Sequence, residues 1–105
     1  MENKGVMLFE NKPIRKVLHN DEWFFSVVDV IEVLTDSPIP RNYWSILKKR
    51  EPQLHTICMQ LKMQASDGRQ RLTDCANIEG SIRILMSVPS FKAEKLRDWF
   101  GNLDL

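Results

Sequence analysis

Residues 57–64, ICMQLKMQ, alternate without exception between larger apolar side chains (Ile57, Met59, Leu61, Met63) and Cys58, Gln60, Lys62 and Gln64. Such a period of two fits a half-buried β-strand and no helix, because successive side chains of a strand point to opposite faces. Asp67-Gly68 follows, the strongest short hairpin signal in the chain. If those two residues form a two-residue turn, Met63 faces Leu72, Gln64 faces Arg71, Lys62 faces Thr73 and Ser66 faces Arg69. That register puts Met63 and Leu72 in the core and gathers Lys62, Gln64, Arg69 and Arg71 on one wet face.

The flanking segments read as further short elements. Val6 to Phe9 and Ile14 to Leu18 are strand-like, and Asn20-Asp21 makes a turn into Trp23-Phe24-Phe25. This predicts a hairpin over 14–25 with Val6 to Phe9 beside it. Ser26 and Asp29 have the spacing of a capping box, with Asp29 at N3 satisfying first-turn N–H groups. Val27, Val30, Ile31 and Leu34 then continue at helical spacing to about Thr35, where Pro38 and Pro40 stop the helix. Asp29 is read as a cap and not as a catalytic carboxylate.

Pro40 suits the first turn of a second helix that runs to about Arg50. Its expected inner face is Tyr43, Ile46 and Leu47, with Arg41, Ser45, Lys48 and Lys49 toward water. Thr73-Asp74 reads as the start of a third helix, with Thr73 its cap and Ile78, Ile82 and Leu85 its core face. Pro89 ends it, and Ser90 caps a last helix with a stripe of Ala93, Leu96, Phe100 and Leu103 beside Trp99. The whole is an α+β fold, antiparallel hairpins packed with about four helices, in a single domain over 1–105. A chain of 105 residues has room for one domain, and 43% hydrophobic with 28% charged residues is ordinary for a globular protein.

Charge is unevenly placed. Between Arg41 and Thr73 lie Arg41, Lys48, Lys49, Arg50, Lys62, Arg69 and Arg71, opposed only by Glu51 and Asp67, a net +5. Residues 1–40 carry −3 and residues 74–105 carry −1, so the overall +1 hides a basic block between acidic flanks. The seven cations are the candidate nucleic-acid contacts. Lys48, Lys49 and Arg50 also sit in the last turn of a helix, where cations complement the dipole without any ligand.

Catalytic chemistry finds no constellation. His19 and His55 are isolated in sequence, and Cys58 and Cys75 lack the paired spacing of a zinc site, so they are read as free thiols. There is no phosphate-binding glycine loop, no zinc-protease motif and no cofactor motif. The expectation is a non-enzyme without metal or cofactor. No apolar run is long enough for a membrane span and no signal peptide is evident, which places the protein in a reducing cytoplasm.

WFFSVVDVIEVL at 23–34, YWSILKKR at 43–50, LKMQASDGRQRLTD at 61–74 and IRILMSVPSFKAEKLRDWF at 82–100 occur in this order in one known family. On them the chain resembles the Bro-N domain, the N-terminal domain of baculovirus Bro proteins and of bacterial and phage antirepressor-like proteins. The resemblance implies a nucleic-acid-binding domain with a variable C-terminal region after it, so the expectation is either an excised N-terminal part of a longer protein or a minimal protein. It does not say which residues touch nucleic acid; those come from charge alone. DNA is the first expected partner, with RNA or single-stranded nucleic acid, a repressor protein and a second copy as further candidates. The rival reading is a protein-interaction module that sequesters another regulator or self-associates. Trp44 separates the two, as an interface anchor if it faces solvent and a core residue if it is buried.

Overall fold

A computed structural model describes residues 4–103. Five strands, β1 (Lys4–Phe9), β2 (Lys12–His19), β3 (Glu22–Ser26), β4 (Met59–Gln64) and β5 (Gln70–Ala76), form one antiparallel sheet in the order β1-β2-β3-β5-β4. Five helices cover it: α1 (Val27–Thr35), α2 (Pro40–Arg50), the one-turn α3 (Gln53–Thr56), α4 (Ile78–Met86) and α5 (Ala93–Gly101). The expected α+β fold holds, with α3 as an addition. No helix among the described residues is long and apolar enough to cross a membrane.

The first three strands are joined by two tight turns, Glu10-Asn11 and Asn20-Asp21, in which both residues have positive φ. That conformation matches the right-handed twist of the strands it connects. The helices bury one face of the sheet through Phe25, Ile14 and Ala76, packed with Ile31, Leu85, Leu96 and Phe100. Phe25 and Phe100 meet edge to face at 5.2 Å. On the opposite face Val17, Phe24, Met63 and Cys75 make a second, smaller cluster, because the sheet curls until the β4–β5 ribbon packs across β2.

Four local expectations change, each for a physical reason. Asp67-Gly68 is not a two-residue turn. Only Gly68 has positive φ (+83°), while the Gly68 N–H donates to the Ala65 carbonyl (2.9 Å) and the Ala65 N–H to the Arg69 carbonyl (2.7 Å). The loop is thus three residues, a tight turn closed by a glycine bulge. Register shifts by one: Met63 faces Arg71, Lys62 faces Leu72 and Leu61 faces Thr73. A one-residue slip reverses faces, so Leu72 is 63% exposed while Met63 is buried.

The second change is at 73–76, where β5 continues to Ala76 because Ala76 and Cys75 pair with Phe25 and Ser26 of β3. Asn77 caps α4, its side-chain oxygen accepting the Gly80 N–H at 2.8 Å. Third, α2 turns Trp44 inward (3% exposed) and Ile46 outward (57%). Trp44 can be buried because its Nε1–H donates to Asp74 at 2.8 Å, leaving no polar atom stranded. Fourth, Ser26 caps α1 as expected, accepting the Asp29 N–H, but the Asp29 carboxylate does not cap. It binds Arg15. Ser90 organises the turn before α5, donating to the Leu34 carbonyl and accepting the Lys92 N–H, while the helix itself starts at Ala93.

Arg15 joins three elements. Its backbone N–H and its Nε donate to Asp29 Oδ2 (2.9 and 2.8 Å), and Nη2 donates to Asp29 Oδ1 at 3.0 Å. Nη2 also reaches Ser26 Oγ at 3.1 Å, and Nη1 reaches the Gln64 carbonyl at 2.9 Å. Hydrogen bonding to Asp29 raises the guanidinium pKa further above its ordinary value, against the lowering effect of burial. Asp29→Asn should therefore cost about 1.5–3 kcal/mol, the range of hydrogen bonds to charged groups. Urea unfolding at neutral pH measures it, and a loss under about 0.5 kcal/mol would refute the assignment.

Candidate nucleic-acid interface

The β4–β5 ribbon pairs with the rest of the sheet only at Phe25–Ala76 and Ser26–Cys75. Beyond those pairs β3 has become α1, so the outer ribbon pairs only with itself and arches over β2. Two cations from the far side staple it down, Arg15 on the Gln64 carbonyl and Lys4 Nζ on Gln70 Oε1 at 3.0 Å. The ribbon's tip is thus held without being covered: Ser66 to Arg71 are all exposed.

A groove of about 330 Å³ runs between this ribbon and α2. Arg15, Arg41, Lys48 and Arg71 line it, against the single carboxylate of Asp74. It adjoins a wider depression of about 600 Å³ that shares Arg15 and Arg41 and reaches Ile39 and Ser66. Sequence reasoning did not select Arg15. Its only signal was a charge sharing a strand face with Val17, one position from Ile14.

The seven expected cations divide. Lys48 is largely structural: its Nζ donates to Asp74 Oδ2 at 3.2 Å and lies 5.5 Å from the Trp44 ring centroid. Arg71 is tied to Asp67 across the turn, and Arg50 lies 3.9 Å from Glu51. Arg41, Lys49, Lys62 and Arg69 are exposed, and among the described residues none has a carboxylate within ion-pair distance. The expected single face of Lys62, Arg69 and Arg71 does not form. The register slip puts Lys62 on the face of Leu72 and Gln60, and Arg71 on that of Met63. Arg41 and Arg71 nevertheless converge on the groove, and Lys49 lies near Pro52 and His55 at the other end of α2.

Arg41 stands in the first turn of α2, a helix with no acidic residue in that turn. The amide dipoles already make that end positive, so a cation there is unfavourable for the helix alone and favourable toward an anion.

A model of the BRO family, N-terminal domain, matches residues 13–102. The chain belongs to that family. No curated protein and no solved structure matches it.

In this BRO N-terminal domain the thiols offer no nucleophile, since burial pushes both Cys58 and Cys75 up to about 12. Among the described residues no cluster of His, Cys, Asp and Glu is placed to hold a metal ion.

Asp74 is, with Asp29, a half-buried carboxylate that organises its surroundings. Burial pushes its pKa up, but hydrogen bonds from Trp44, Gln60 (3.3 Å) and Lys48, with the nearby Lys48 charge, outweigh that and hold it below the usual carboxylate value. A carboxylate depressed in the folded state stabilises fully above its unfolded pKa of about 4 and loses that contribution as pH falls through the folded value. Asp74→Asn should therefore destabilise the domain by about 2 kcal/mol at pH 7. Parallel unfolding curves of the two proteins should converge as pH drops below about 4. A difference independent of pH would mean that the Asp74 charge contributes nothing.

Proposed function

We propose that this domain binds DNA without catalysing a reaction, as the recognition part of a prophage or viral antirepressor-like transcription regulator. The observation that carries the reading is the convergence of Arg15, Arg41, Lys48 and Arg71 on one groove beside an exposed two-stranded ribbon. Membership of the BRO family supports it.

Division of labour follows from the ion pairing. Arg41, Lys49 and Lys62 have no internal carboxylate, so phosphate contact displaces only water and counterions. Arg69 at the ribbon tip is free in the same sense, and a two-stranded ribbon fits the roughly 12 Å major groove, where an arginine reads guanine O6 and N7. Arg71 must first give up Asp67, whose carboxyl the Arg71 hydrogen bond holds below its usual pKa. Arg71 is therefore a contact that exchanges partners, and Arg50 beside Glu51 is another. Lys48 shapes the groove and holds Asp74, so its share in binding is indirect.

The rival, a module that docks another regulator, loses its nominated anchor: Trp44 is buried and bonded to Asp74. Leu72, 63% exposed, and Met59, 40% exposed, are the apolar features that remain on the ribbon, and Leu72 is also of a kind to meet a thymine methyl.

Fluorescence anisotropy on a labelled duplex, from about 50 to about 300 mM salt, tests the reading. With four to five phosphates engaged, log affinity falls against log salt with a slope of roughly −3.6 to −4.5. Arg41→Glu and Lys62→Glu should each keep the wild-type melting temperature and flatten the slope by about one. Arg69→Ala should relax sequence preference instead. Salt-independent binding, or unchanged binding by an Arg41→Glu/Lys62→Glu variant that folds, would remove the reading.

A further inference from the structure

The ribbon proposed to enter DNA carries one acidic residue, at its tip. Asp67 is the single carboxylate between Met59 and Thr73, among Lys62, Arg69 and Arg71. A negative charge there faces two phosphate chains as the ribbon enters a groove, so it opposes docking. The fold does not need that charge. Asp67 shapes the loop by accepting the Arg69 N–H at 3.0 Å, which the side-chain oxygen of an asparagine does equally well. Its ion pair with Arg71 joins two exposed side chains, a kind of pair that adds little stability.

What the charge does is hold Arg71. The Arg71 Nη2 donates to Asp67 Oδ2, and Arg71 otherwise lines the groove that Arg41 also lines. Contact with a phosphate would exchange one anion for another on Arg71 and leave Asp67 bare in a negative potential, so it gains little. A G·C pair is different. Its major-groove edge presents guanine N7 and O6 as adjacent acceptors, with the cytosine N4 amino group as a donor beside them. Arg71 supplies the two donors and Asp67 the one acceptor, from side chains already in contact, and every group ends partnered. An A·T pair has the adenine N6 donor next to the N7 acceptor, so one arginine N–H finds no acceptor there.

We propose, resting on the DNA-binding reading, that Asp67 and Arg71 act as one unit that reads a single G·C pair in the major groove. Away from such a pair, Asp67 withholds Arg71 from phosphates. Asp67 is thus a specificity-determining residue: it lowers general affinity for DNA and leaves affinity for the matched site little changed. Arg41, Lys49 and Lys62 have no carboxylate to withhold them among the described residues, and they remain the sequence-independent contacts.

Selection of bound sequences from a randomised duplex pool, followed by anisotropy on one selected and one scrambled duplex, tests this on the full chain. Wild-type protein should enrich a G·C pair at one position. Asp67→Asn keeps the bond to the Arg69 N–H and should melt as wild type does. It should bind the scrambled duplex roughly tenfold more tightly, with a salt slope steeper by about one, and the selected duplex about as before. The ratio between the two duplexes then falls by the same factor. Arg71→Ala, at an exposed position outside the loop, should abolish the G·C enrichment. An Asp67→Asn protein that tightens both duplexes equally marks a bare charge effect and overturns the proposal. So does one that binds as wild type does, or G·C enrichment that survives Arg71→Ala. Each of those results leaves salt-dependent binding by the wild-type protein, and with it the DNA-binding reading, in place. Wild-type binding without salt dependence removes that reading and this proposal together.

Discussion

The pair of Arg15 and Asp29 solves a problem that the topology creates. β3 stops at Ser26 and becomes a helix, while its neighbours β2 and β5 continue. From that point the sheet has a gap, and the Arg15 N–H on the open side of β2 would lack a strand carbonyl. An unsatisfied buried backbone donor costs about as much as a lost hydrogen bond. Asp29, one turn into α1, supplies the acceptor, and the guanidinium that binds the same carboxylate reaches on to Ser26 and Gln64. One side chain thereby anchors the start of α1 and seats the ribbon over β2. It also fixes which face of the ribbon is buried, and hence which of its cations can meet a partner.

Asp74 does on the other side of the ribbon what Asp29 does on the near side. It gathers Trp44, Lys48 and Gln60 and locks α2 against β5. The basic block between Arg41 and Thr73 is therefore of two kinds. Lys48 is neutralised by a carboxylate that lies outside the block in sequence, and Arg71 by one within it. Arg41, Lys49, Lys62 and Arg69 keep their charge unmatched among the described residues. Net charge per segment counts both kinds alike, although only the second is left to be matched by an anion.

What sequence made legible follows from how local each signal is. Alternation over 57–64, the Ser26 cap and the prolines at 38, 40, 52 and 89 act within a few residues, and the elements they mark are present. The β1 to β3 meander and the apolar stripe of α5 were readable for the same reason. Signals decided by distant partners were not. Thr73-Asp74 is a sound cap in isolation, yet Cys75 and Ala76 find β3 and the strand goes on. Trp44 and Ile46 exchange roles because an acceptor waits at Asp74, thirty residues away. At the Asp67-Gly68 turn a two-residue loop would need positive φ at both residues, whereas only Gly68 has it, and the Asp67 carboxylate accepts the Arg69 N–H at 3.0 Å and favours the three-residue loop. Of the candidate site, the charge density was legible and its division between two faces was not. Arg15 was invisible as a site residue because its role is set by three elements at once.

A ribbon that reads a groove binds well only if its shape is fixed beforehand, since ordering a mobile hairpin on the ligand subtracts from affinity. An isolated two-stranded hairpin is marginal in water. This one escapes that limit without burying its outer face. Met63, Leu61 and Cys75 fasten its underside to Val17 and Phe24, Asp74 fastens its inner flank to α2, and Arg15 and Lys4 fasten its far end. Asp74 uses only the inner end of its face of the ribbon. The outer part of that same face, with Lys62 and Leu72, and the tip with Arg69 are left exposed, an uncommitted surface on a rigid support. Stability asks nothing of those three side chains, so they are the ones that the proposed DNA contact can use without cost to the fold.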